Sequence, residues 1–226
     1  MSKPILGYWN IRGLAAQIRY MFYYCGVEFE DVTYDVGPAP EFDRSAWFSV
    51  KPSMPHDYPN LPYLIDGDVN LTETAAIMKY IAHKWKPELL GATSVEYANA
   101  EMIAYHVGVL KSKATGPSYS STDGNREVIL AQCWPVLDGL VKFRGNKTWL
   151  AGDNLTWLDF YFFEVVEQLH HLSNGTMFEK YPSLVAYHKA FLELPGIAEA
   201  WKDDKKLMKF PFNNANAAIG GRDSKW

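Results

Sequence analysis

The chain has 226 residues, 48% of them hydrophobic and 21% charged, which excludes a disordered or fibrous polypeptide and fits one large domain or two small ones. Its 22 basic and 26 acidic residues leave a net charge of −4, so there is no cationic excess to neutralise phosphates and no nucleic-acid partner is expected. Aromatic residues reach 15%, an amount that suits pockets and subunit interfaces as well as a ring-rich core.

Up to about residue 85 strand-like and helical runs alternate. Ile5-Leu6-Gly7-Tyr8-Trp9 reads as a buried strand. A helix opens at Gly13, with Leu14, Ile18, Met21, Phe22 and Cys25 on its apolar face, and ends at Gly26. Val27 to Val36 is rich in β-formers and reads as a second strand. A short helix is expected over 41–50, then a proline-rich loop over 51–60. Tyr63-Leu64-Ile65, the turn-former Asp66-Gly67, and Val69 with Leu71 signal a hairpin. A helix over Glu73 to Lys84 closes this half. From about residue 92 strand signals vanish and helices are expected at 93–114, 125–144, 156–171 and 181–202, separated by Gly/Pro/Ser/Asn clusters that include 116–125. The expected organisation is a mixed α/β domain at 1–85 and an all-helical domain at 92–226, joined through Lys86-Pro87 and Gly91.

No run approaches the ~18 apolar residues of a membrane span. The opening Met1-Ser2-Lys3-Pro4 leads to Tyr8, Asn10 and Arg12 rather than to an apolar leader, so neither membrane insertion nor export is expected. Cys25 and Cys133 are too isolated for a disulfide framework or a metal site, and the expected compartment is the reducing cytoplasm.

The candidate chemistry begins at Tyr8. It stands at the end of the opening strand, before a glycine-led turn into a helix, where open sheets collect ligands and free backbone N–H groups meet a positive dipole end. A phenol there can donate a hydrogen bond to an anion such as a thiolate, although a strand-end tyrosine is often only structural. Arg44, Trp47 and Lys51 fall within one short helix and loop, and their charged and indole N–H groups suit a carboxylate or simply a solvated surface. Asn60-Leu61-Pro62-Tyr63 places a proline just before a strand, either as an ordinary turn or as a cis peptide. Thr72-Glu73-Thr74 starts a helix, where hydroxyl and N–H groups hold either a carboxylate or only the cap.

The order of these segments is more specific than any one of them. Gly7-Tyr8-Trp9-Asn10-Ile11-Arg12-Gly13-Leu14-Ala15, then Ala39 to Trp47, then Pro59-Asn60-Leu61-Pro62-Tyr63-Leu64-Ile65-Asp66-Gly67 resemble the mu class of cytosolic glutathione S-transferases, with gap-free spacing from Leu6 to about Lys84. In the helical half, Gly152-Asp153-x-Leu155-Thr156-x-x-Asp159 resembles that family's capping box at the start of a buried central helix, with Thr156 as cap and Asp159 answering it.

The resemblance implies a thioredoxin-like glutathione-binding domain, an all-helical domain supplying most of a hydrophobic acceptor pocket, and a homodimer. It implies conjugation of reduced glutathione, the co-substrate, to small hydrophobic electrophiles, without a metal. Residue by residue, it makes Tyr8 the activating hydroxyl, aided by the Leu14 N–H. Trp9, Arg44, Trp47 and Lys51 lie along the glycine end of the tripeptide. Asn60 and Leu61, before a cis Pro62, meet its cysteinyl backbone, and Glu73 and Thr74 hold its γ-glutamyl end. Tyr58 matches an aromatic residue that inserts into the partner subunit, and Tyr119 stands near the acceptor-site tyrosine but offset from it.

Two departures stand out. Glu73-Thr74-Ala75 replaces the usual Gln-Ser-Asn, and His106 stands where an Asp reaches across the dimer toward the γ-glutamyl ammonium. The expectation is that Glu73 supplies in cis the charge that His106 does not. Two other readings stay open. A thiol–disulfide oxidoreductase needs a reactive cysteine where Tyr8 stands, whereas Cys25 falls on an apolar helix face. A non-catalytic binding or structural descendant of the family would keep the same motifs.

Overall fold

The computed structural model describes residues 2–120, 125–203 and 211–221. Four strands form one mixed sheet in the order β2-β1-β3-β4: β1 Ile5–Trp9, β2 Glu30–Tyr34, β3 Tyr63–Asp66 and β4 Val69–Thr72. β1 runs parallel to β2 and antiparallel to β3, and the β3–β4 hairpin turns at Asp66-Gly67. The parallel pair needs a crossover, which is α1, Ala16–Cys25. Gly26, at φ 66°, stops this helix with its N–H on the carbonyls of Phe22 and Tyr23. The second strand is shorter than the β-rich run from Val27 to Val36, because only Glu30 to Tyr34 pair with β1.

After β2 come α2, Ser45–Phe48, a 3₁₀ turn at Lys51–Ser53, and, beyond the hairpin, α3, Thr74–Trp85. The remaining described residues contain helices and no strand: α4 Ser94–Ser120, α5 Arg126–Arg144, α6 Trp157–Leu172, α7 Met177–Lys180, α8 Ser183–Leu192 and α9 Ile197–Lys202. This is a thioredoxin-like unit joined to an all-helical one.

Two helical expectations need correction. The cluster at 116–125 does not end α4, which runs through Gly116 and Pro117 to Ser120. Pro117 lacks an N–H and weakens the turn, but Ser118 is buried and its hydroxyl donates to the Ala114 carbonyl at 2.7 Å. The stretch 181–202 is two helices, because Pro195-Gly196 interrupts it and Gly196 sits at φ 74°.

The centre of the helical unit is α6. Its start is the expected capping box: Asp159 Oδ2 accepts from the Thr156 N–H at 2.9 Å, and Oδ1 accepts from the Leu150 N–H at 2.8 Å. Phe160, Phe162, Phe163, Val165 and Val166 are fully buried on all sides of it. Phe163 stacks on Phe191 of α8 with ring centroids 3.9 Å apart, and Tyr20 of α1 meets both rings edge-on. The aromatic excess is therefore largely core, and it spans both units.

Candidate functional site

At the C-terminal end of β1 the chain leaves the sheet through Asn10–Leu14 and enters α1. Tyr8 lies under this turn, 6% exposed. Gly13 has φ 43°, and a Cβ there would stand 2.7 Å from the Tyr8 hydroxyl oxygen. Only glycine lets the turn close over the phenol. Burial pushes the Tyr8 pKa up to about 12, against a smaller opposing effect of the Leu14 N–H directed at its oxygen. The group is therefore a neutral O–H donor throughout the physiological range.

The phenol borders a cavity of about 440 Å³, a size that suits a small ligand. The β1–α1 turn supplies Trp9, Ile11, Gly13 and Leu14 to it. The opposite wall is α4 from Gly108 to Tyr119, with Tyr161 of α6 and Asn213 and Asn214 of the tail. Two backbone bonds fasten that tail over the turn: Arg12 N–H donates to Pro211 O at 2.7 Å, and Gly13 N–H to Phe212 O at 3.1 Å. The Asn214 N–H donates to the Tyr119 hydroxyl at 2.8 Å. The tail thus closes one side of the cavity through Asn213 and Asn214.

A second group of the expected residues gathers beside the sheet rather than in this cavity. Trp47 is buried and stacks on Tyr63 at 6.0 Å between centroids, while Tyr63 shares a 2.9 Å hydroxyl bond with Tyr34. Gly7 makes room for this layer, since a Cβ there would fall 2.1 Å from the Tyr63 ring. Arg44 and Lys51 hold their cationic ends 5.6 and 5.9 Å from the half-exposed Phe48 ring, and among the described residues neither has an ion-pair partner. The Leu61–Pro62 peptide is cis, as is Ala39–Pro40, which the sequence did not signal. The sheet ladder begins at Tyr63, leaving Leu61 just outside it.

Glu73 and Thr74 open α3. Glu73 is exposed and adopts φ 70°, the left-handed region that a residue with a side chain rarely occupies. Thr74 donates its hydroxyl to the Leu14 carbonyl at 3.3 Å, which ties this helix start to the turn beside Tyr8. His106 is exposed on α4, far along the helix from Tyr119, with its ring edge-on to Tyr105. It lines a separate apolar groove between α4 and α5.

Sequence reasoning missed two residues that line the Tyr8 cavity, Tyr161 and Lys111, and a third, Arg12, in the turn beside it. Tyr161 lies inside the aromatic run of α6, and its hydroxyl was the one polar mark there. Burial pushes its pKa up to about 12. Lys111 offered no motif at all. Arg12 was quoted only as part of the opening segment, yet its guanidinium is buried, donates to Glu164 at 2.7 Å and lies 4.2 Å from the Phe212 ring centroid.

Two family models cover most of the chain: the glutathione S-transferase N-terminal domain matches residues 4–83 and the C-terminal domain residues 108–204. Glutathione S-transferase Mu 3 of Homo sapiens is 34% identical over 225 residues, covering 98% of this chain and 97% of the relative. A glutathione S-transferase of Dermatophagoides pteronyssinus is 34% identical over 222 residues, 96% of this chain and 99% of its own length. Among solved structures, the glutathione S-transferase Blo t 8 superposes with a TM-score of 0.82 at 29% identity, covering 96% of this chain and 99% of that one. The chain belongs to the glutathione S-transferase family, and within it to the mu class.

Proposed function

We propose that this transferase joins the thiolate of reduced glutathione to small hydrophobic electrophiles, with Tyr8 as the group that holds sulfur in its charged form. The observation that carries the assignment is a phenol kept protonated by burial at the rim of a cavity, one turn from an N-terminal helix end. A free thiol has a pKa of about 8.5, so only roughly 3% is ionised at pH 7. Lowering it by about 2 units takes about 2.7 kcal/mol of preference for the anion. A hydrogen bond to a charged acceptor contributes about 1.5–3 kcal/mol, so one well-placed O–H, with the Leu14 N–H and the dipole of α1, is of the right size.

In this reading the tripeptide runs from Glu73 and Thr74 past Asn60 and Leu61 to Trp9, Arg44, Trp47 and Lys51. Its sulfur faces Tyr8 and the acceptor fills the cavity against Tyr119. The division at 1–85 and 92–226 belongs to the same reading, the first unit giving the cavity Tyr8 to Leu14 and the second giving it α4, Tyr161 and the tail. Detoxification in the cytoplasm is the role that fits, and among the described residues no helix is long and apolar enough to cross a membrane. The thiol–disulfide alternative has no support from Cys25, whose pKa burial pushes up to about 11. A conjugation assay with glutathione and an activated aryl chloride tests the proposal; binding of glutathione with no adduct formed would leave only the carrier reading.

Glu73 is the proposed partner of the γ-glutamyl ammonium. Glu73→Gln is expected to weaken glutathione about tenfold or more, the size of one lost charged pair. Equal affinity by calorimetry would remove the idea that it replaces an acid from the partner subunit.

The homodimer has its own support. Tyr58 is 84% exposed, and the groove between α4 and α5, about 610 Å³, is lined by Met102, Tyr105, Val109, Pro135 and Phe143 among others. An exposed ring and an open apolar groove on one chain are the two halves of a symmetric contact. Tyr58→Ala is expected to raise the dimer dissociation constant at least about tenfold, as central aromatic anchors do. Sedimentation equilibrium showing an unchanged dimer would exclude Tyr58 as that anchor.

A further inference from the structure

α6 runs through the centre of the helical unit, and one residue near its start escapes burial. From Trp157 to Val166 every residue is buried except Tyr161, which is half-buried and lines the Tyr8 cavity. Its hydroxyl makes no hydrogen bond among the described residues, and its oxygen is not sealed from solvent as the Lys111 amine is. The Tyr8 phenol senses the Tyr119 and Tyr161 hydroxyls electrostatically, so the three face one space.

The wall formed by α4 explains why this oxygen stays open. Gly108 also lines the cavity, and a Cβ there would stand 3.9 Å from the Tyr161 oxygen. A longer side chain would reach the hydroxyl and cover it. Glycine inside a helix is destabilising relative to alanine; at this position it keeps a donor uncovered. The other hydroxyls around the cavity already have tasks. Tyr8 is assigned to sulfur, and Tyr119 accepts from the Asn214 N–H at 2.8 Å. Thr115 accepts from the Gln168 amide at 3.2 Å, and Ser112 is exposed to water.

A phenol without a partner in a partly dry wall is a cost that phenylalanine would avoid. Burial keeps it protonated, with a pKa pushed up to about 12, so what it offers a ligand is an O–H. Such a donor discriminates between ligands by whether they carry an acceptor atom within its reach.

We propose that Tyr161 is a specificity-determining residue of this transferase: its hydroxyl donates a hydrogen bond to an oxygen that the second substrate carries away from the carbon sulfur attacks. The proposal rests on the transferase reading and adds a residue to the same site. It concerns the remote part of the acceptor and not the group that reacts.

The test measures binding of product-like ligands to the full-length protein and to Tyr161→Phe, which keeps the ring and its packing. S-Benzylglutathione is the reference. Its ortho-, meta- and para-nitrobenzyl counterparts share the tripeptide and the ring, and they present a nitro oxygen at different points of the wall. By calorimetry, Tyr161→Phe is expected to lose about five- to tenfold in affinity for at least one nitro isomer, the size of one hydrogen bond. S-Benzylglutathione should bind both proteins within about twofold, which also shows that the variant is folded. For the matching nitrobenzyl chloride kcat/KM should fall by about the same factor, with benzyl chloride nearly unchanged. Equal losses on the reference and on every isomer would mean that the hydroxyl acts only on the structure. No loss on any isomer would mean that it touches no ligand. Either result overturns the proposal and leaves the transferase standing. If the wild-type chain binds none of these conjugates, the transferase reading falls with it.

Discussion

Tyr8→Phe should lower turnover about ten- to hundredfold with glutathione affinity retained, because it removes one charge-assisted hydrogen bond worth about 1.5–3 kcal/mol to the sulfur anion alone. The ring stays, so the packing under Gly13 and Leu14 is undisturbed. Tripeptide contacts far from sulfur are also untouched. The pH dependence makes the prediction sharper. Since the Tyr8 pKa stands near 12, the phenol does not titrate in the working range, and the rise of rate with pH reports the bound thiol. Removing the donor destabilises the thiolate, so the ascending limb should move to higher pH by up to about 2 units. The ultraviolet absorption of bound thiolate should move with it. A variant with near-normal turnover and an unshifted limb would show that the helix end and the Leu14 N–H ionise sulfur without Tyr8.

How much of this was legible in the sequence depended on how local each signal was. The β3–β4 hairpin was readable because Asp66-Gly67 specifies its own turn, and α1 because Gly26 supplies the left-handed residue that ends it. The capping box at Thr156 and Asp159 was readable for the same reason, all its partners lying within three residues apart from the Leu150 N–H. The run through Gly116-Pro117 was misread as a break. Its local cost is real, and what keeps α4 helical there is burial of Ala114 and Ser118 against the rest of the helical unit. Such tertiary override is invisible in a window of the chain.

The site divided in the same way. Tyr8, Trp9, Leu14 and Tyr119 meet at one cavity, and Thr74 reaches the same turn through Leu14. Arg44, Trp47 and Lys51 lie on an adjoining face, organised by Phe48 and the Tyr34–Tyr63–Trp47 layer. That these form one continuous ligand site rests on family resemblance; no pattern in the residues declares it. Lys111 had no legible signal, because a lysine on an amphipathic helix is usually solvated. Only the packing that buries it near Glu164 of α6 and Arg12 removes it from water. Arg12 was hidden by the same logic, since Glu164, the acid that pairs with it, stands 152 positions away in sequence.

That pair carries the second large effect. Glu164→Leu should destabilise the protein by about 3–5 kcal/mol, because it strands a buried guanidinium rather than removing an ion pair. Arg12 is 2% exposed and Glu164 fully buried. Without the carboxylate, Arg12 would retain Glu167 at 3.6 Å, which is itself held by His188 at 2.6 Å. The Tyr20 hydroxyl would lose the acceptor it donates to at 2.7 Å, and Lys111 would face Arg12 with no opposing charge. For a chain of this length the loss corresponds to a fall in melting temperature of roughly 10 °C. The double variant Arg12→Met with Glu164→Leu separates the two accounts. If the cost is the orphaned charge, apolar replacement of both partners should recover most of the stability, as replaced buried pairs do. If the pair itself holds α6 against the β1–α1 turn, the double variant should melt as low as the single one. Recovery is the expected result. The tail would then still be fastened, because Pro211 and Phe212 accept from the backbone N–H groups of Arg12 and Gly13 and do not depend on the guanidinium.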